Sequence, residues 1–284
     1  KDDVTTITGK LAEWIADKEI DVVISTGGTG LTGRDVTPEA FHSVYEKEIE
    51  GHEEDFALGL KALSAIAGQG NTHLVYAHNT PSSSFTEAQG ITHHTVEGPH
   101  PSGNISIPIY FIDPIKEVHE VIWTLSAYSV LVIGHYLRTG KHYTKKHIAI
   151  GGPLVDNPGF YEGRMGYPIA PISKMINKEH KRLISGSPLM GLEVHESDFL
   201  SFDSHAVCAL EEHQTREPLH FLRPGWKKFT ASKAYLSSFL KKAPFSFTTS
   251  LHGEKRAFID GSIYDKVMPI KVPVMELTKA VLGN

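Results

Sequence analysis

Residues 20–38 read IDVVISTGGTGLTGRDVTP, and this stretch decides how the first part of the chain is built. Asp21 to Ser25 is a short β-branched run that reads as a buried strand. Thr26, Gly27, Gly28, Thr29 and Gly30 open a glycine-rich loop. Thr37-Pro38-Glu39 then carries three helix-start signals: a capping hydroxyl, a proline in the first turn and an acid near the positive end of the helix dipole. A strand, a glycine loop and a helix in that order can bring main-chain amides close to an anion such as a phosphate. The loop lacks the Lys-Ser/Thr ending of a P-loop and the spacing of a dinucleotide fingerprint, so neither nucleotide reading is supported. The other reading of these glycines is that they only turn the chain.

Working outward, Val4, Ile7, Leu11, Trp14 and Ile15 recur at helical spacing, which predicts a helix over residues 3–17. Phe41, Val44, Tyr45 and Ile49 form the inner stripe of a helix that Gly51 ends. A second helix, residues 53–67, buries Phe56, Leu60, Leu63 and Ile66. Strands follow at 72–77 and 91–96, joined by the polar segment Pro81-Ser82-Ser83-Ser84. Residues 105–112 stay open between strand and helix, because Ile105, Ile107, Ile109 and Phe111 alternate while Pro108 suits neither interior. Residues 118–125 read as a strand, Ser126 as an N-cap, 127–139 as a helix ended by Gly140, and 146–150 as a strand. This alternation predicts an α/β fold with an open, mainly parallel sheet over residues 1–152. Beyond residue 153 helical periodicity fades, turns recur and short β-branched runs lie between them. Residues 153–284 therefore read as a smaller β-rich domain, with helices at 232–240 and 274–282.

Composition narrows the function. The 28 Lys and Arg against 33 Asp and Glu give a net charge of -5, which offers no field for gathering a phosphate backbone, so nucleic acid is excluded as a partner. Cys208 stands alone, which rules out an internal disulfide and a four-thiolate cluster and suits a reducing compartment. The acidic start Lys1-Asp2-Asp3 is no signal peptide and reads as the opening of a fragment. The most membrane-like run, residues 121–137, is interrupted by Thr124, Ser126, Tyr128, Ser129 and His135 and reads as core rather than as a transmembrane segment. None of the 17 histidines shows a recognised ligand spacing, and adjacent His93 and His94 point to opposite faces of a strand, so no metal site is expected.

The string from Thr26 to Ala40, TGGTGLTGRDVTPEA, resembles the core motif of the molybdopterin-binding MoaB/MogA family of molybdenum-cofactor biosynthesis, a likeness that covers residues 4–55. It implies that Thr26, Gly27, Gly28, Thr29 and Gly30 cradle a pterin phosphate and that Asp35 is the catalytic acidic residue, orienting a metal or the reacting groups in adenylyl transfer. The opening strand and later half of that family are missing from the chain.

A different likeness covers residues 53–284. Phe56-Ala57-Leu58-Gly59-Leu60, the turn from Glu97 to Asn104, Gly140-Lys141-His142-Tyr143, the run from Gly151 to Pro158 and Leu183-Ile184-Ser185-Gly186-Ser187 resemble the A-type subunit of the sodium-translocating NADH:quinone reductase, in that order. So do Lys227-Lys228-Phe229-Thr230, Phe247-Thr248-Thr249 and Val267-Met268-Pro269. This resemblance implies a Rossmann-like domain followed by a β-grasp-like domain, and a cytoplasmic component peripheral to the inner membrane that works with the other subunits of a membrane redox complex. It implies ubiquinone as the ligand, with no covalently bound cofactor and no redox chemistry by this chain alone. Molybdopterin is the alternative ligand. Gly98 and His100, in the turn after the strand at 91–96, would form a quinone-binding loop, His100 donating to a quinone carbonyl; the competing role for His100 is packing between Pro99 and Pro101. The two likenesses meet at residues 51–56, which implies a chimera, and a folded hybrid without a complete site is a third reading.

Overall fold

The computed structural model describes residues 20–25, 47–68, 70–78, 80, 83–98, 101–176, 178–213, 223–226, 228, 235–239, 248–250, 260–266 and 268–283. It divides into two compact units, one of residues 1–148 with 162–165, the other of residues 149–161 with 166–284. The helix expected over residues 3–17 and the helix start at Pro38 lie outside the described residues.

The first unit is built on a four-stranded parallel sheet. Its strands are β1 (Ile20–Ser25), β2 (Thr72–Ala77), β3 (Thr92–Val96) and β4 (Val121–Leu125), in the order β3-β2-β1-β4. The main helices are α1 (Glu53–Ala67) and α4 (Ala127–Thr139), with the short α2 (Ser83–Thr86) and α3 (Ser106–Ile112) between strands. One face of the sheet packs against α1 and α4: Leu74 and Tyr76 share a buried cluster with Phe56, Leu60 and Leu63 of α1 and Tyr128, Val130 and Leu131 of α4. The two helices lie unusually close. A Cβ built at Gly59 would fall on the Val130 carbonyl, and one at Gly134 would fall on the Asp55 carbonyl.

Local sequence explains most boundaries. Ser126 adopts extended backbone and its Oγ accepts a bond from the Ser129 amide, satisfying one of the donors that a helix start leaves unpaired. Gly140 takes a left-handed conformation, φ 67°, and its amide closes on the Tyr136 carbonyl. Ser126→Ala is expected to cost about 1 kcal/mol, seen as a fall of about 2–4 °C in the thermal melt. Residues 105–112 resolve as helix: Pro108 falls in the first turn of α3, where a missing N–H leaves no intrahelical bond unmade. The segment expected to be a plain polar link contains α2, which drops Phe85 into the core, 5.4 Å from Phe56 and 6.1 Å from Tyr76 between ring centroids. The strand expected from residue 118 starts at Val121, because Val118 is fully exposed and the chain turns between Glu117 and Glu120.

A five-stranded mixed sheet lies mostly in the second unit, with residues 145–148 and 162–164 of its first two strands belonging to the first. Its strands are β5 (Lys145–Gly151), β6 (Gly159–Arg164), β7 (Lys181–Ser185), β8 (Leu192–Val194) and β9 (Ala206–Glu211), in the order β6-β5-β9-β7-β8. β9 runs parallel to β5 and antiparallel to β7. A helix that the sequence reading omitted, α5 (Ile169–Met175), precedes β7 and buries Ile169 and Ile172. Of the helix expected at 232–240, residues Leu236–Phe239 form a single 3-10 turn; α6 (Ser262–Asp265) and α7 (Val274–Leu282) follow. The described residues thus form a mixed α/β fold with one parallel and one mixed sheet.

Candidate functional site

In an open parallel sheet, ligands bind outside the carboxyl ends of the strands where the strand order reverses. Here the order reverses at β1, because β2 and β3 add on one side and β4 on the other. Ile24 pairs with Leu125, so the chain leaves β1 after Ser25 one strand spacing, about 4.8 Å, from Ser126 at the start of α4. On the other side Ser25 is level with Val75, and Val75 with His94, so β3 ends at Val96 on the same edge, two strand spacings or about 10 Å across.

Of the residues expected to form a site, Gly98 is described. It stands two residues past the end of β3 with φ 130°, a conformation that side chains disfavour, and its carbonyl accepts a 2.9 Å bond from the Ser102 hydroxyl. The Asn104 amide in turn donates to the Pro101 carbonyl, two residues before α3 begins. Thr26, Gly27, Gly28, Thr29, Gly30, Asp35 and His100 lie outside the described residues. The backbone therefore brings the exits of β1, β3 and β4 to one edge. What that edge offers is the partial positive charge of the α4 N-terminus beside β1.

A second group of ionisable residues, which the sequence reading did not single out, sits between α1 and α4. Asp55 is fully buried. Arg138 donates to it twice, Nε to Oδ1 at 2.5 Å and Nη2 to Oδ2 at 3.0 Å, and His135 Nδ1 donates to Oδ2 at 2.8 Å. His52 Nδ1 stands 3.7 Å from the same oxygen. The Arg138 guanidinium is the main cause, with help from His135, of an Asp55 carboxyl held down at about 2. A carboxylate so fully engaged is no proton carrier at neutral pH; it locks the two helices together. Beside it, burial first and Glu48 second push Tyr143 up to about 12 and push Tyr128 higher still. Glu48 is itself fully buried, accepts a bond from the His147 amide and lies 3.3 Å from His147 Nδ1. No sequence signal marks this group, since its members come from segments about 80 residues apart.

Among the described residues, no cluster of three or more His, Cys, Asp or Glu is placed to hold a metal ion, and no helix is long and apolar enough to cross a membrane.

Comparison with known proteins decides between the readings. Residues 31–142 match the NqrA second alpha/beta domain. The chain is 36% identical over 260 residues to the A-type subunit of the Na(+)-translocating NADH-quinone reductase of Chlamydia pneumoniae, covering 87% of this chain and 54% of that protein. It is 32% identical over 235 residues to the corresponding protein of Rhodopirellula baltica, with 81% and 50% covered, and 29% identical over 258 residues to that of Photorhabdus laumondii, with 89% and 56% covered. The chain thus spans about half the length of the curated relatives it matches. Among solved structures, a chain of the NAD+-reducing [NiFe]-hydrogenase in the H2-reduced state shares the fold, at a TM-score of 0.50 and 13% identity over 72% of this chain and 43% of that one.

These findings correct one expectation. The domain match begins at Leu31, inside the glycine-rich stretch, and runs without a break through residues 51–56, where two families were expected to join. The chimera and the molybdopterin segment are therefore unsupported.

Proposed function

We propose that this chain is the α/β portion of the A-type subunit of a sodium-translocating NADH-quinone reductase, in which it binds quinone and helps assemble the complex without redox chemistry of its own. The carrying observation is the similarity to the Chlamydia pneumoniae protein, at 36% identity over 260 residues. On this reading the first unit is Rossmann-like and the second β-grasp-like, and the chain sits at the cytoplasmic side of the inner membrane against the other subunits. The quinone ring would lie along the carboxyl edge between β1, β3 and β4. Main-chain amides at Gly98 and in the first turn of α4 would donate to its carbonyls, with His100 a further donor. A quinone needs such donors and a flat apolar wall rather than an acid or base, and the α4 N-terminus beside β1 supports this reading.

Trp123, two residues before the end of β4 and 42% exposed, is a reporter at this edge. Titrating the full chain with a short-chain ubiquinone analogue should quench tryptophan fluorescence with a Kd on the order of micromolar, and Gly98→Val should weaken binding about tenfold by blocking the left-handed turn. A flat titration by fluorescence and by calorimetry overturns quinone binding by this chain. Failure to co-purify with the remaining subunits when co-expressed overturns the assembly role separately.

A further inference from the structure

We propose that His73 and His94 form a two-imidazole site for a divalent late transition-metal ion, Cu2+ or Zn2+, which clamps β3 to β2 at the edge of the parallel sheet. This is independent of the quinone reading. His73 Nδ1 and His94 Nε2 stand 3.0 Å apart, although 21 residues separate them in sequence, and both side chains are half-buried. The register fixes this meeting: Val75 is level with His94 and His73 with Thr92, so the two imidazoles reach each other diagonally across neighbouring strands. His93 takes no part, since it turns to the opposite face, donating to the Ala88 carbonyl at 2.6 Å and meeting the Tyr76 ring.

Two nitrogens bound to one metal at about 2.0–2.1 Å lie about 2.9 Å apart for a right-angle bite and about 3.4 Å apart for a tetrahedral one. The observed spacing falls in this range, nearer the right angle that tetragonal Cu2+ adopts. The ring centroids are 5.2 Å apart, so in the metal-free pair the ring axes face each other and one proton is shared as N–H···N. A metal would replace that proton as both rings turn about χ2, a soft torsion in histidine. Burial, and then the neighbouring His73, lowers the pKa of His94 from its ordinary value. With no third protein ligand among the described residues, water would complete the shell.

The test is calorimetric titration of the untagged full chain with CuCl2 and with ZnCl2, joined to pulsed EPR of the Cu2+ form. The expected result is one site, with Cu2+ tighter than Zn2+, two imidazole nitrogens coupled to the copper, and a melting temperature that rises with metal. His73→Gln and His94→Gln should each weaken binding at least tenfold, while His119→Gln, an exposed loop residue, should leave it unchanged. Absence of a saturable site, a site that survives both substitutions, or a single coupled imidazole overturns the proposal. If either variant fails to fold by circular dichroism, the imidazole count on the unsubstituted chain decides.

Discussion

Gly134→Ala should lower the melting temperature by roughly 10 °C. The added Cβ would fall on the Asp55 carbonyl, 2.7 Å from its carbon and 2.7 Å from the Gly59 nitrogen, and those obstacles are backbone rather than the end of a flexible side chain. Overpacking a core by a methyl costs about 1–3 kcal/mol when side chains can shift, and the upper end applies where α1 itself must move. Gly59→Ala meets the facing surface, 2.9 Å from Val130 Cγ1 and 3.0 Å from the Val130 carbonyl carbon, and should behave alike. Gly159→Ala is the control, with nothing within 4 Å of its Cβ, and should stay within about 0.5 kcal/mol. Scanning calorimetry of the three variants separates these cases. An unchanged melt for Gly134→Ala would show that α1 and α4 do not touch as described.

Asp55→Ala should cost about 3 kcal/mol at neutral pH, because it leaves Arg138 and His135 facing an apolar gap without their shared acceptor. The same residue sets an acid limit. Its carboxyl falls from an ordinary 3.8 to about 2 in the folded chain, so the unfolded chain takes up the proton first. The stabilisation is therefore complete above about pH 4 and lost as the pH falls towards 2. Taken at face value that difference is worth ~2.5 kcal/mol; water reaching Arg138, which is 47% exposed, reduces it to about 1–2 kcal/mol. Urea melts at pH 7 and pH 3 measure this: a little under half of the stabilisation is lost by pH 3, so in Asp55→Ala the two should differ less by about 0.5–1 kcal/mol. Equal acid sensitivity in both chains would assign the loss to other carboxylates.

Much of the first unit could be read from its periodicity. The bounds of α1 and β2 coincide with the apolar stripe and the β-branched run, and Ser126 and Gly140 mark the ends of α4 as their chemistry requires. The failures have physical causes. α2 is too short for a period, and its single anchor, Phe85, stands among serines. α5 did carry a signal, with Ile169, Ile172 and Ile176 at helical spacing, but the surrounding turns masked it. The side-chain clusters were less legible because they are assembled by topology. Asp55 meets Arg138 across 83 residues, and His73 meets His94 because two strands happen to be in register. Neither distance leaves a trace in local spacing. The glycine loop erred in the other direction: its string was vivid enough to suggest a foreign origin, whereas the match of residues 31–142 begins within that string and continues past the expected junction.

The place of β1 inside the sheet also governs how the chain is made. Ile20 pairs with Val121, so one flank of this strand waits for a partner synthesised about a hundred residues later. At about 5–20 residues per second, a growing chain leaves that flank open for several seconds, during which its unpaired amides and carbonyls can recruit a stray strand. Loop closure over such a span is slow compared with helix formation. The strand that leads into the glycine-rich stretch thus leaves the ribosome well before the partner that encloses it, and faulty biogenesis of this protein should begin there.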